Sequence, residues 1–158
     1  MSRMLHLTEL RAGGPQDLPQ VNSIMQDAFD PRYGEAWTSS QCMGMLSLPG
    51  VWLTIAAADD QDVAFALARS TGEEAELLLL ATRPGARGRG IGGALLRAVI
   101  EEARHRGGKT IHLEVRAGND AVQLYAREGF AKVGERREYY RGKNGQVFDA
   151  QTFSRQVA

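Results

Sequence analysis

Four consecutive leucines, Leu77–Leu80, lead through Ala81 and Thr82 into Arg83-Pro84-Gly85-Ala86-Arg87-Gly88-Arg89-Gly90-Ile91-Gly92-Gly93. An unbroken apolar run of that kind suits a strand covered on both faces. Beyond the glycines, Ile91, Leu95, Leu96, Val99 and Ala103 recur at helical spacing, and Gly107-Gly108 terminates the pattern. This predicts a helix from about Gly90 to Arg106. A doubly covered strand that turns directly into an amphipathic helix restricts the chain to a layered α/β architecture. The turn itself holds five glycines in residues 85–93, more than a plain strand-to-helix connection needs. Glycine lets the backbone approach a ligand and turn its N–H groups outward. A helix N-terminus adds partial positive charge. The segment is therefore expected to cradle a phosphate, with Arg83, Arg87 and Arg89 as counter-charges.

The flanking chain supports one mixed layer of sheet. Strands are expected at Met4–Leu10, Val51–Ala58, Val63–Ser70, Ala75–Thr82, Thr110–Arg116, Ala131–Tyr140 and Val147–Ser154. Helices are expected over Asp17–Phe29, from a Thr38 or Ser39 cap to Leu46, and over Asp120–Glu128. With 158 residues and 43% hydrophobic content, a single domain over 1–158 can bury a core without staples. Cys42 is the only cysteine and His6, His105 and His112 are scattered, so no disulfide and no metal site is expected. Cys42 reads as a buried, inert thiol. No N-terminal signal pattern and no membrane-length apolar run is apparent, and a cytoplasmic protein with no membrane partner is expected.

Charge adds one asymmetry. Lys+Arg and Asp+Glu are 19 each, so the chain is neutral, which disfavours a uniformly basic nucleic-acid binder. Yet residues 1–80 carry 4 basic and 11 acidic side chains, and residues 81–158 carry 15 and 8. The plain reading is pairing across the fold. The functional one is an anion site in the second half.

Three phosphate sites compete for the glycine loop. A P-loop requires Lys-Ser/Thr after its last glycine, and Ile91-Gly92 follows Gly90 here. Gly88, Gly90 and Gly93 match the dinucleotide fingerprint, but Arg83–Arg87 separates them from the strand and too few β-α units follow. The third is a resemblance. Arg87-x-x-Gly90-x-Gly92 resembles the acyl-CoA pyrophosphate loop of the GNAT superfamily of N-acetyltransferases. Leu113-Glu114-Val115-Arg116-Ala117-Gly118-Asn119, Leu124-Tyr125, Gly129-Phe130, Arg136-Arg137-Glu138-Tyr139-Tyr140 and Asp149-Ala150 are similar to the RimI-type ribosomal-protein alanine N-acetyltransferases. The likeness is dense over residues 80–140 and thin before 75.

That resemblance implies a mixed, mostly antiparallel sheet of about seven strands flanked by about four helices. It implies acetyl-CoA as co-substrate and a ribosomal-protein N-terminus as acceptor. Leu80, Ala81 and Thr82 would hold the pantetheine arm and polarise the thioester carbonyl. Arg87, Gly88, Arg89, Gly90, Ile91, Gly92 and Gly93 would hold the pyrophosphate, with Asn119 also on the cofactor. Glu114 would be the general base and Tyr125 the acid that protonates the departing thiolate. Trp37, Tyr139 and Tyr140 would line the acceptor pocket. Asn119 to Tyr125 is one residue shorter than in that group, while Ala121 to Tyr125 keeps its spacing. Read without the resemblance, Glu114 pairs with a surface arginine, Tyr125 packs in the core, and His112 on the same strand face is a rival base. Acetylation of a small-molecule amine, and an acyl-CoA or dinucleotide sensor without catalysis, stand as alternatives.

Overall fold

A computed structural model of the protein describes residues 8–157. A seven-stranded sheet runs in the order β1-β2-β3-β4-β5-β7-β6. The strands are β1 (Thr8–Gly13), β2 (Val51–Ala58), β3 (Gln61–Thr71), β4 (Glu74–Thr82), β5 (Thr110–Arg116), β6 (Ala131–Arg141) and β7 (Val147–Gln156). Every neighbouring pair is antiparallel except β4 and β5. That parallel pair is joined by helix α3 (Ile91–His105), as a parallel crossover requires. The other helices are α1 (Leu18–Ala28), α2 (Ser39–Leu46) and α4 (Ala121–Arg127). The sheet and helix content expected from the resemblance is what the chain forms.

Local chemistry accounts for the boundaries. Thr38 caps α2: its Oγ1 accepts the Gln41 N–H at 3.1 Å, and Gln41 Oε1 accepts the Thr38 N–H at 2.7 Å. Asp59 and Asp60 take φ of 54° and 64° to turn β2 into β3, the left-handed pair that a two-residue hairpin demands. The expected first strand, Met4–Leu10, falls partly on residues 1–7, outside the described chain. Its described part begins at Thr8 and runs on to Gly13, paired against Leu53–Ala58. It extends past Leu10 because Arg11 bridges Asp62 at 2.7 Å and Asp17 at 3.1 Å.

Two apolar layers cover the sheet. On one face α3 packs Leu95, Leu96 and Val99 against Leu77, Ile111, Leu113 and Phe153. On the other, Val21, Ile24 and Met25 of α1 and Cys42 of α2 pack on Leu53, Ile55, Phe65, Leu67, Leu79 and Ala81. The leucine run is thus covered on both sides, with one refinement. Leu67 pairs with Leu79 while Ala68 pairs with Leu77, so Leu78 is an extra residue in β4. Leu77 joins the α3 layer, whereas Leu78 and Leu79 both join the α1–α2 layer. A bulge of this kind bends its strand.

Candidate active site

The bend decides where a ligand can enter. The ladder between β4 and β5 extends only from Glu74–Thr110 to Leu77–Leu113 and stops where the bulge begins. β5 stays paired to β7 along its whole length, and β4 stays paired to β3 up to Thr82. Beyond Leu77 the two strands part, and the β4 backbone groups facing β5 have no strand to bond among the described residues. Unpaired backbone polar groups of this kind seek a partner.

Two cavities meet in the wedge. The larger, about 600 Å³, runs past Leu80, Ala81 and Thr82 to Arg87, Gly88, Gly90, Ile91, Gly92 and Gly93. The smaller, about 110 Å³, is walled by Trp37, Leu78, Glu114, Tyr125, Tyr139 and Tyr140. Phe29, Glu35, Leu80, Asn119 and Ala121 border both.

The larger cavity is a backbone site. Gly88 and Gly90 both sit at φ 79°, and Gly90 is the left-handed N-cap of α3. No side chain caps that helix, and Ala94 is the first residue to bond back, to the Gly90 carbonyl at 3.0 Å. The N–H groups of Ile91, Gly92 and Gly93 are therefore left for a ligand. A polyanion in this cavity would meet those donors and the positive end of a four-turn helix.

The arginines divide differently from the sequence expectation. Arg83 donates to the Asp62 carbonyl at 3.1 Å and Ser23 Oγ at 3.0 Å, and pairs with Asp27 at 3.4 Å. Arg89 lies 3.8 Å from Asp59. Neither borders the cavity. Arg87 does, but its guanidinium donates to the carbonyls of Thr82 at 3.2 Å and Ala28 at 2.9 Å, tying the loop to α1. The cationic side chains that the sequence did not mark are Arg116 and Arg127, both on the cavity wall. Arg127 sits at the end of α4, where only the sheet-and-helix arrangement brings it round.

The smaller cavity is a side-chain site. Glu114 is 9% exposed; Oε1 accepts from Arg136 Nε at 2.9 Å and Oε2 from the Thr152 hydroxyl at 2.6 Å. The arginine pairing of the plain reading is present, and the same carboxylate also faces the cavity. Tyr125 packs edge-on to Phe130 at 5.9 Å and tilted to Phe153 at 6.5 Å. Burial first, and the Glu35 charge second, push its phenol above the ordinary tyrosine value, so it stays protonated at neutral pH. Core packing and cavity lining are both true of Tyr125. His112 points elsewhere: its Nε2 is 3.9 Å from Glu76, and it borders neither cavity. Cys42 is fully buried, its thiol pushed up by burial, and it too borders neither.

Tyr139 and Tyr140 are consecutive strand residues, which ordinarily point to opposite faces. Both nevertheless line the smaller cavity. Between the pairs Arg136–Ala150 and Tyr140–Phe148, three β6 residues oppose Asp149 alone. Glu138 takes φ 52° there, and its N–H donates to Asp149 Oδ1 at 2.9 Å. This bulge swings the two rings together, edge to face at 4.9 Å, and the Tyr140 hydroxyl donates to the Glu114 carbonyl at 3.3 Å.

Asn119 borders both cavities, but its side chain is engaged. Its Oδ1 accepts the Ala121 N–H at 2.8 Å, at the turn that leads into α4, and its Nδ2 donates to Glu35 at 2.7 Å. Glu35 and Glu76 are carboxylates on the cavity walls that sequence reasoning missed. Glu35 lies in a loop without periodicity, and Glu76 reads as an ordinary polar strand residue. Among the described residues no three His, Cys, Asp or Glu side chains gather as a metal group. No described helix is long and apolar enough to cross a membrane.

Comparison with known proteins places this geometry. The acetyltransferase (GNAT) family model matches residues 18–130. A Salmonella typhimurium protein, [ribosomal protein bS18]-alanine N-acetyltransferase, is 43% identical over 84 residues, covering 52% of this chain and 57% of that protein. The Mycobacterium tuberculosis N-alpha-acetyltransferase RimI is 45% identical over 76 residues, 48% of this chain and 46% of that one. The matches thus span about half the length of these relatives. The crystal structure of the Escherichia coli ribosomal-protein-S18-alanine N-acetyltransferase superposes with a TM-score of 0.84 at 28% identity, over 96% of this chain and 95% of that one.

Proposed function

The chain belongs to the acetyltransferase (GNAT) family, and from that premise we propose that it transfers an acetyl group from acetyl-CoA to a protein N-terminal α-amine. The proposed acceptor is the N-terminal alanine of a small-subunit ribosomal protein, in the cytoplasm. One observation carries the reading: a backbone-lined anion cavity and a small cavity bearing Glu114 and Tyr125 meet where β4 and β5 part. The cofactor side fits a long polyanionic thioester. It offers free N–H groups at the α3 N-terminus for phosphates and an unpaired β4 edge for an extended amide-bearing arm.

The thioester supplies an activated acyl carbon and a thiolate leaving group. The chain's residues do the rest. An unpaired N–H of the Leu80–Thr82 edge donates to the thioester carbonyl oxygen, which gains charge as the tetrahedral centre forms. The amine nitrogen bonds to the acyl carbon and loses a proton to Glu114 through water. The C–S bond breaks, and the Tyr125 hydroxyl protonates the sulfur. Transfer needs the neutral amine, and an α-amine with pKa of about 7.7–8.0 reaches that form far more readily than lysine at about 10.4. The confined acceptor cavity favours a small first residue. No step calls for an acetylated cysteine, since Cys42 is sealed in the core.

Purified protein, acetyl-CoA and a synthetic peptide bearing the ribosomal N-terminus test the proposal by mass spectrometry. Acetylation at the α-nitrogen is expected. Glu114→Gln is expected to lower kcat by about 10²–10⁴-fold and Tyr125→Phe by at least about tenfold, with acetyl-CoA binding retained in both. Turnover of a polyamine or other small amine with none of the peptide would refute the acceptor, and full activity in both variants would refute the mechanism.

A further inference from the structure

Among the described residues Glu35 is the only ionisable side chain that borders both cavities, and nothing in the mechanism above employs it. It lies in the segment between α1 and α2, with its side chain 10% exposed. That segment is held from several directions. Gly34, at φ 69°, presses so closely on β6 that a Cβ there would stand 1.9 Å from the Arg141 carbonyl oxygen. The Tyr33 ring lies between the Arg116 guanidinium at 3.7 Å and the Phe148 ring at 5.1 Å. The Glu35 carboxylate is thus delivered to a fixed place.

Its two oxygens are used unequally. Oε2 accepts the Asn119 Nδ2 hydrogen at 2.7 Å. Oε1 is 3.3 Å from Arg116 Nε, yet that nitrogen is buried without a hydrogen-bond partner among the described residues. The charges are close enough to attract, but the N–H is not aimed at the oxygen. A buried ion pair with poor alignment repays little of its desolvation cost, so stability is a weak reason for it. The directed contact is the one to Asn119. Asn119 Oδ1 in turn holds the Ala121 N–H that opens α4, and Tyr125 lies four residues further along that helix.

We propose that Glu35 is a positioning residue. It ties the acceptor-side wall to the start of α4 through Asn119 and so sets where the Tyr125 hydroxyl stands relative to both substrates. The inference rests on acetyl transfer at this site. In a static geometry, a displacement of the acid by an ångström costs about a hundredfold in rate. Breaking the Glu35–Asn119 bond should therefore lower kcat while leaving the phosphate end of the cofactor site, built by the distant glycine loop, as it was.

A reciprocal swap tests this. Asn119→Asp keeps an acceptor for the Ala121 N–H but places a carboxylate against Glu35, so it should break the tie at about pH 8. Adding Glu35→Gln restores a donor–acceptor pair of the same size and leaves one negative charge beside Arg116. Glu35→Ala removes the tie outright. The expected result is a kcat loss of about tenfold to a hundredfold in Asn119→Asp and Glu35→Ala, with the acetyl-CoA KM within about twofold, and recovery of most of the loss in the double variant. Should Glu35→Ala fold poorly by circular dichroism, the other two variants decide alone. Unchanged kcat in the single variants, kcat and acetyl-CoA KM changing together, or no recovery in a folded double variant would each overturn the proposal. Each protein is also assayed for acetyl-CoA hydrolysis without acceptor. Loss and recovery in hydrolysis support Glu35 even if the wild-type protein ignores the ribosomal peptide, an outcome that would refute the acceptor alone.

Discussion

The two cavities that meet between β4 and β5 are built in opposite ways. The phosphate end of the larger is made by one continuous stretch, Leu80 to Gly93, and works through backbone N–H groups, while Phe29, Glu35, Arg116, Asn119 and Arg127 close its other walls. The smaller is assembled from side chains on six segments: the α1–α2 loop, β4, β5, the turn after β5, α4 and β6. A backbone site depends on conformation and tolerates most side chains except where glycine is required. A side-chain site depends on how distant elements dock, and any shift in docking moves several of its walls at once. On this view the glycine loop should fail in cofactor use, and the acceptor side with its tyrosine wall in stability and acceptor use.

The largest effect is expected where docking is tightest. Gly34→Ala drives a Cβ into the Arg141 backbone, and the residue must also hold φ 69°. A loss of about 3 kcal/mol or more in unfolding free energy is expected, with acetyl-CoA affinity in the folded fraction little changed. Denaturant titration with parallel ligand binding checks both, and a wild-type midpoint would break the claim that this loop is clamped to β6. Next in size, Gly90→Ala meets open space but keeps the left-handed strain of φ 79°, which costs about 1–2 kcal/mol. Its acetyl-CoA KM should rise about tenfold with the acceptor KM steady. The reverse pattern would show that the loop does not serve the cofactor.

Smaller effects sharpen the comparison. Tyr139 is 49% exposed and lies on the smaller cavity only. Tyr139→Ala should raise the acceptor KM by about five- to tenfold, the scale of about 1 kcal/mol for a half-buried aromatic contact, and leave acetyl-CoA KM alone. Arg89→Ala should be the mildest. Facing Asp59 across 3.8 Å on an exposed surface, it should change acetyl-CoA KM by less than about threefold. A tenfold rise would restore Arg89 to the cofactor site.

Much of this was legible in the chain because the signals are local. The helical period of residues 91–103, the Thr38 cap and the Leu77–Leu80 run each depend on neighbours within a few residues. Phosphate-cradle chemistry was legible for the same reason, since its donors are consecutive. The arginines were not, because charge in sequence says nothing about direction. The acidic and basic halves answer each other at four ion pairs, Arg83 with Asp27, Arg89 with Asp59, Arg116 with Glu35 and Lys109 with Glu73. The plain reading of the charge split accounts for these pairs. The bulge at Glu138 was equally hidden, since a non-glycine residue at positive φ carries no compositional mark and is held by Asp149 from the next strand.

By itself the sequence determined a doubly covered strand, a glycine-rich turn and a following helix, because burial period and glycine content act over a few residues. It also placed Glu114 at the end of a strand and Tyr125 on a short helix. Only the tertiary structure decided that β4 bends away from β5, that consecutive tyrosines share one wall, and that Glu35 reaches Asn119 across 84 positions of chain. Those outcomes depend on which strand is already satisfied by its other neighbour and on which loops are pressed together. Such relations have no local period to read.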